Sequence, residues 1–469
     1  MKEYKQMNEP LKHKLFSVYG QILNEKILKE AWKKVRSNNG SSGVDRVTIK
    51  KYEENLEENI RTLLTELKEK NYRPSPVRRV YIPKKNGKMR PLGIPTIKDR
   101  IVQQALVMRL EPFFEANVFH ENSCGFRPGR DAETALRKIL WNIETGYHYI
   151  YDFDIKGYFD NIPHKKLMKV LNKYISDGTV LDIIWKSLKA GYMEDEVVYE
   201  TADGTMQGGV ISPLIANIYL NELDWELEKE NLRFVRYADD SIVMCRTAQE
   251  LERAKEVVHR VLAELGLEVA EDKTDDIDFH DRDFEYLGFT FRHIWRDSKE
   301  EWHYLVRPSN KSFKKFKQDI KARTRKSFSY SFEEWASELN PILRGKFNYF
   351  LVANRAVKAV WQECRRRGMK FHGKARRDYR ELDSYVRQRL RVNFANRGKR
   401  HARYKDGKML TVKYGNEFFV KIMGLVTGHY MVMQMREPEL AVDEFLKRIK
   451  KKNRYSTGKD SYFRYAYAR

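Results

Sequence analysis

Two short apolar runs carry aspartates at set places, and they restrict this chain more than any other feature. The first is Tyr151-Asp152-Phe153-Asp154-Ile155, with Phe159 and Asp160 close behind. The second is Tyr237-Ala238-Asp239-Asp240, at a tight turn between two strand candidates, Phe234 to Tyr237 and Ser241 to Met244. Alternate residues of a strand share a face, so Asp152 and Asp154 lie together, with Tyr151, Phe153 and Ile155 on the other side. Asp239 falls at the tip of its turn. Paired aspartates at a hairpin tip are by themselves an ordinary solvated turn. Two such strands side by side are different, because clustered carboxylates repel and burial sharpens the repulsion. Divalent cations relieve it. Mg2+ takes oxygen ligands, and two ions about 4 Å apart can clamp an attacking 3′-hydroxyl and a leaving pyrophosphate.

The charge pattern supports chemistry in the middle of the chain. Of 469 residues, 90 are Lys or Arg and 66 are Asp or Glu, a net +24. Residues 1–100 hold 24 basic and 12 acidic side chains, residues 101–300 hold 24 and 38, and residues 301–469 hold 42 and 16. An acidic centre at −14 thus lies between basic flanks at +12 and +26. Such flanks create a field for a polyanion. Three isolated cysteines, Cys124, Cys245 and Cys364, exclude a disulfide scaffold and a cysteine-rich zinc module. No apolar run reaches transmembrane length and residues 1–20 lack a signal peptide's apolar segment, so a cytoplasmic protein without membrane association is expected.

Periodicity predicts helices over residues 13–36, 52–70, 99–114, 164–176, 179–190, 213–230 and 249–265. Extended runs are expected at Val77 to Pro83, Met89 to Ile94, Ile150 to Ile155 and Phe284 to Phe291. Lys84-Lys85-Asn86-Gly87 reads as a hairpin turn. Past residue 310 the pattern is mostly basic helix.

The motifs, in order, resemble the reverse transcriptase/maturases encoded by group II introns. Asn39-Gly40-Ser41-Ser42-Gly43-Val44-Asp45 is similar to their N-terminal extension. Val80-Tyr81-Ile82-Pro83-Lys84, Arg90-Pro91-Leu92-Gly93-Ile94-Pro95 and Ser123-Cys124-Gly125-Phe126-Arg127-Pro128-Gly129-Arg130 resemble fingers blocks. Phe153-Asp154 through Asp160, Gln207-Gly208-Gly209-Val210-Ile211-Ser212-Pro213, and Tyr237-Ala238-Asp239-Asp240 resemble palm blocks. Gly266-Leu267 through Lys273-Thr274 and Tyr286-Leu287-Gly288-Phe289 resemble the last palm motif and the primer grip.

The resemblance implies an α+β right-hand polymerase with fingers and palm, followed by a helical thumb/maturase domain and a basic tail. Expected boundaries are 1–50 for the N-terminal extension, 51–300 for fingers and palm, 301–395 for the thumb/maturase domain and 396–469 for the tail. It implies that Asp154, Asp239 and Asp240 are catalytic and hold Mg2+ in a two-ion site, with Mn2+ as a substitute. Asp152 has no catalytic counterpart and is left as supporting charge. Lys84 and Arg90 suit triphosphate oxygens. Gln207 and Gly208 suit a close approach to the nascent base pair. Phe159, five residues after Asp154, would be the steric gate against a ribose 2′-hydroxyl; from its sequence neighbours alone it reads as core. Met206 stands where the family usually has proline, which restores an N–H and loosens that loop.

In the last third, Leu339-Asn340-Pro341-Ile342-Leu343-Arg344-Gly345, Asn348-Tyr349-Phe350 and Leu382 through Arg391 resemble the thumb and maturase region. Leu382, Val386 and Leu390 make an apolar stripe. Arg387, Arg389 and Arg391 are expected to project elsewhere and bind RNA. Arg365, Arg366, Arg367, Lys370, His372, Lys374, Arg376 and Arg377 form an extension with no assigned contact. Nothing after Gly398 supplies the histidine, asparagine and paired cysteines of the endonuclease that many relatives carry.

The function implied is an RNA-directed DNA polymerase that binds its parent intron RNA, assists splicing and copies RNA into DNA during intron mobility. Its partners would be that RNA, an RNA template with a DNA primer, dNTPs and target DNA. Two alternatives are a reverse transcriptase adopted for another task such as antiviral defence, and a binding-only splicing maturase. Intact Asp154, Asp239 and Asp240 argue against the last.

Overall fold

The computed structural model describes residues 14–83, 89–205, 208–296, 301–325, 327–376, 379–395 and 414–454. Lys84, Met206 and Gln207 lie outside the described residues, as does Arg377. The chain divides into two compact units. One holds residues up to Lys138 together with Thr145–Asp278; the other holds Ile139–Glu144 and the chain from Phe279 onward.

The first unit contains two four-stranded sheets. In one, β1 (Val77–Pro83) and β2 (Met89–Ile94) form the expected antiparallel hairpin, and β4 (Tyr192–Glu194) and β5 (Val197–Tyr199) extend it in the order β2-β1-β4-β5. The other sheet combines β3 (Tyr149–Phe153), β6 (Arg233–Tyr237), β7 (Asp240–Cys245) and β8 (Asp275–Asp278) in the order β6-β7-β3-β8. Every pairing in it is antiparallel, with Phe153 opposite Ser241 and Tyr237 opposite Asp240. Ile242, Val243, Met244 and Cys245 are fully buried, as suits a central strand covered on both faces. The helices Ser212–Lys229 and Ala248–Leu265 contribute Leu220, Leu223, Val258 and Leu262 to the same core as Tyr151, Phe153 and Phe234. The helix expected over residues 13–36 is broken into Val18–Ile22 and Glu25–Ser37, because the Asn24 side chain caps the second piece by accepting from Lys26 N.

The second unit holds the third sheet, whose strands β9 (Phe284–Tyr286), β10 (Phe289–Arg296), β11 (Glu301–Pro308) and β12 (Gly373–Ala375) lie in the order β12-β11-β10-β9. The single strand expected at Phe284 to Phe291 is two strands, β9 (Phe284–Tyr286) and β10 (Phe289–Arg296). Leu287 and Gly288 both have positive φ, 48° and 73°, which is the geometry of a two-residue hairpin turn. Strand β10 then pairs with β11 (Glu301–Pro308) from Phe289↔Pro308 to Arg296↔Glu301. The helical part runs through Asn310–Arg323, Phe332–Phe350, Val352–Arg366 and Arg380–Ala395, and the first, second and fourth of these share a core with Trp335, Leu343, Phe347, Leu382, Val386, Leu390 and Phe419. The basic extension is not all loop: Gly373–Ala375 forms β12, parallel to β11.

Leu382, Val386 and Leu390 are buried, as the apolar stripe requires. Two of the three arginines expected to project from this helix are buried. Arg387 and Arg391 are only 8% and 4% exposed. Arg389 donates to Thr324 Oγ1 at 3.1 Å and to Thr324 O at 2.9 Å. Arg391 Nε donates to Tyr414 O at 2.8 Å, and its guanidinium lies 5.2 Å from the Phe419 ring centroid. Arg389 and Arg391 thus tie segments together within the second unit.

Candidate active site

The antiparallel β3-β7 pairing brings the two aspartate motifs to one end of the sheet. Asp154 follows the last residue of β3, and its backbone carbonyl accepts from Ala270 N at 2.8 Å. Asp239 sits in the two-residue turn between β6 and β7, and Asp240 opens β7. Burial raises the Asp239 carboxyl above its ordinary range and the charge of Asp154 adds to this, while Arg90 and Lys273 oppose it. Asp240 is pushed up to about 6, chiefly by burial, then by Asp239 and Asp154. Asp152 is pushed up to about 7 by burial first, then by Asp240, Asp275 and Asp154. Four carboxylates of one site thus feel one another, which is the sequence expectation of a strained acidic cluster.

Two cations answer that cluster. Lys273, on the single turn Glu271–Lys273, donates directly to Asp154 Oδ2, and this bond raises the lysine's own pKa. Arg90 on β2 acts on Asp239. Among the described residues, no three His, Cys, Asp or Glu side chains form a ready metal cage. Mg2+ does not demand one, because it binds through one or two carboxylates and completes its shell with waters and substrate phosphates. Asp152, Asp239 and Asp240, raised first by burial and then by neighbouring carboxylates, with an ammonium already drawn to Asp154, fit such an ion.

The turn itself is held from beneath by residues that motif reading alone missed. Ala238 has φ of 61°, a left-handed conformation that a residue with a Cβ adopts at a cost. Arg236 is 1% exposed and donates to Ala238 O at 2.9 Å and to Asn217 Oδ1 at 2.9 Å. Its guanidinium also forks onto Asp224, at 2.7 Å and 2.5 Å. Asn217 in turn donates to Gly125 O at 2.8 Å. Gly125 lies against the turn so closely that a Cβ there would stand 2.3 Å from Ala238 N. A charged residue on the strand before the turn, and Asn217 and Asp224 buried on the helix Ser212–Lys229, were the available signals.

Of the remaining predicted positions, Phe159 and Gly208 lie among the described residues. Phe159 is 9% exposed and meets the ring of Phe126 edge-on at 6.4 Å; Phe126 is 51% exposed. The Phe159 carbonyl accepts from Thr205 N at 2.7 Å, which ties the first palm motif to the loop before Gly208. Gly208 has φ of 110°, and a Cβ there would lie 2.4 Å from Gly93 O on β2. Only glycine fits both constraints. Gln103, also unsuspected from sequence, is buried and accepts from Val210 N at 2.8 Å. Arg78 donates to Ser42 O at 2.7 Å, so this cation ties down the Asn39–Gly43 turn.

Comparison with known proteins agrees with this arrangement. Residues 82–291 match the family "Reverse transcriptase (RNA-dependent DNA polymerase)", and residues 313–380 match "Group II intron, maturase-specific domain". The two matches follow one another along the chain in the order reverse transcriptase, then group II intron maturase. The reverse transcriptase match contains Arg90, Asp154, Phe159, Gly208, Asp239 and Asp240. The protein is 42% identical over 194 residues to Protein YkfC of Escherichia coli (strain K12), covering 40% of this chain and 51% of that protein. It is 42% identical over 228 residues to Group II intron-encoded protein LtrA of Lactococcus lactis subsp. cremoris, covering 48% of this chain and 37% of LtrA. It is also 34% identical over 255 residues to the Uncharacterized 91 kDa protein in cob intron of Schizosaccharomyces pombe, covering 54% and 30% respectively. The matches span about half or less of these relatives' lengths. Among the described residues, no helix is long and apolar enough to cross a membrane.

Proposed function

We propose that this reverse transcriptase/maturase extends a DNA primer on an RNA template with Mg2+, and that it binds a group II intron RNA and assists its splicing. The observation that carries the reading is the meeting of Asp154, Asp239 and Asp240 at one end of an antiparallel sheet, inside the residues of the reverse transcriptase match. Asp154 and Asp239 would hold the ions, with Asp240 beside them. When bound, the divalent ions supply Lewis acidity at the primer hydroxyl and charge neutralisation at the leaving pyrophosphate.

The protein's own groups would set the geometry. Arg90, on the hairpin strand β2, acts electrostatically on Asp239 and suits the triphosphate. Lys273 holds the Asp154 carboxylate in place before substrate arrives. Gly208, pressed against the backbone of β2, lets the nascent base pair come close to the main chain. Phe159 would close the space beneath the sugar C2′. The dNTPs, primer-template, intron RNA and target DNA are the partners of this reading, and the division of labour is chemistry in the acidic centre and RNA binding in the basic flanks.

Asp239→Asn tests it. The amide keeps the size and loses the charge that attracts an ion, so Mg2+-dependent primer extension should fall by orders of magnitude while RNA affinity stays near wild type. Extension at the wild-type rate would overturn the assignment.

A further inference from the structure

Arg389 and Arg391 are bonded within the second unit, so other cations of that unit are the candidates for a nucleic-acid surface. The helix Val352–Arg366 has one plainly buried face, formed by Val352, Ala353, Ala356, Val360 and Cys364. On the outside, Lys358, Trp361, Gln362 and Arg365 are all exposed. Their spacing, i, i+3, i+4 and i+7, puts them in one stripe. Trp361 leaves 45% of its surface in solvent, and the Arg365 guanidinium lies 5.7 Å from its ring centroid. An indole of this size is normally used for burial, yet here it faces outward between two cations about 10 Å apart along the axis.

The neighbouring cations are already committed. Arg366 and Arg367 both donate to Glu363, at 2.7 Å and 2.5 Å. Lys370 pairs with Glu301, and Arg376 reaches Glu381 at 3.5 Å. His372 donates its backbone N–H to Glu144 at 3.0 Å, and its ring Nδ1 lies 3.1 Å from the same carboxylate. Glu144, Glu301, Glu363 and Glu381 therefore anchor much of the extension to the second unit. Among the described residues, Lys358 and Arg365 have no ion-pair partner. The extension thus builds a fixed support whose remaining outward charge borders one exposed aromatic ring.

We propose that Lys358, Trp361, Gln362 and Arg365 form a docking stripe for an unpaired base of a folded RNA, with Trp361 stacking on the base and Lys358 and Arg365 meeting the flanking phosphates. Charge complementarity selects a polyanion, and the exposed ring selects one with an accessible base face, as RNA loops and bulges provide. Gln362 adds a donor and an acceptor for a base edge. The inference rests on the reading of the chain as an RNA-binding maturase and names the surface that does the binding. The stripe lies inside the residues matched by the maturase-specific family.

The test uses the full chain and three labelled oligonucleotides: an RNA stem-loop with an unpaired purine loop, the same stem as a blunt RNA duplex, and the stem-loop as DNA. Trp361→Ala should weaken stem-loop RNA binding by about 5- to 150-fold without altering its salt dependence. It should leave the duplex unaffected, and Trp361→Phe should restore most of the loss. Lys358→Gln with Arg365→Gln should instead flatten the plot of log affinity against log salt by about 1.4–1.8. Primer extension on a short unstructured template should stay near wild type for every variant. An unchanged stem-loop constant in Trp361→Ala, or an equal loss on the duplex, would overturn the stripe. Tighter binding of the DNA stem-loop, lost equally in Trp361→Ala, would overturn RNA as the occupant. A wild-type chain that neither extends primers nor binds RNA would bring down the underlying reading instead.

Discussion

Replacing Asp224 with asparagine is the sharpest test of how the catalytic turn is held. Asp224 and Arg236 are each 1% exposed at the side chain, and the guanidinium meets both carboxylate oxygens. In asparagine one of those oxygens becomes an NH2 group that points at a cation, and the charge that compensated Arg236 is gone. Breaking a buried pair from one side costs about 3–5 kcal/mol, because the surviving charge stays desolvated. At about 2–4 °C per kcal/mol for a domain of this size, the first unit should melt on the order of 10 °C lower. Amide exchange in β6 and β7, followed across a urea series, reads that unit alone. Arg236→Met with Asp224→Leu should recover most of the stability, since apolar residues can replace a buried ion pair at little cost. It should not recover primer extension, because Ala238 O and Asn217 Oδ1 have still lost their donor. A loss below about 1 kcal/mol in Asp224→Asn would refute the reasoning, since that is the scale of an exposed pair. Full extension activity in the apolar double variant would refute the positioning role.

Other changes follow from the same geometry. Gly125→Ala would place a methyl group 2.3 Å from Ala238 N, so the turn must shift; extension should fall severely while circular dichroism stays native, and unaltered kcat would mean that the turn tolerates displacement. Phe159→Ala should raise the incorporation of rNTPs relative to dNTPs in single-nucleotide assays, whereas an unchanged ratio with lowered stability would assign the ring to packing alone. Asp152 keeps its proton up to about pH 7 in the folded state, against about 3.9 unfolded, so folding stability is lost as pH rises from about 4 through 7. Asp152→Asn should therefore stabilise the first unit above pH 7, by at most about 4 kcal/mol, and flatten that pH dependence in urea titrations. A steeper profile in the variant would reverse the sign of the argument.

Much of the site was legible in the amino-acid sequence because its signals are local. Strand alternation puts Asp152 and Asp154 on one side, and a turn between two apolar runs puts Asp239 at a tip, whatever the rest of the chain does. The order of the blocks then identifies the family. Missing from such a reading are contacts set by which elements pack together. Lys273 reaches Asp154 across more than a hundred residues, and Arg236 finds Asp224 on a helix that precedes its own strand. Neither pairing has a periodicity.

The helix Arg380–Ala395 shows the boundary between the two kinds of knowledge. Its sequence alone determined that Leu382, Val386 and Leu390 face a core, because residues four apart share a helix face. Arg387 and Arg391 follow Val386 and Leu390 by one position, about 100° around the axis. Whether that second face meets water or protein depends on what packs there. Thr324, Tyr414 and Phe419 come from distant parts of the chain to receive Arg389 and Arg391, so the tertiary structure decided that arginines with the composition of a nucleic-acid contact serve as internal struts. A helical repeat specifies directions around one axis; the neighbours in those directions are supplied by the fold.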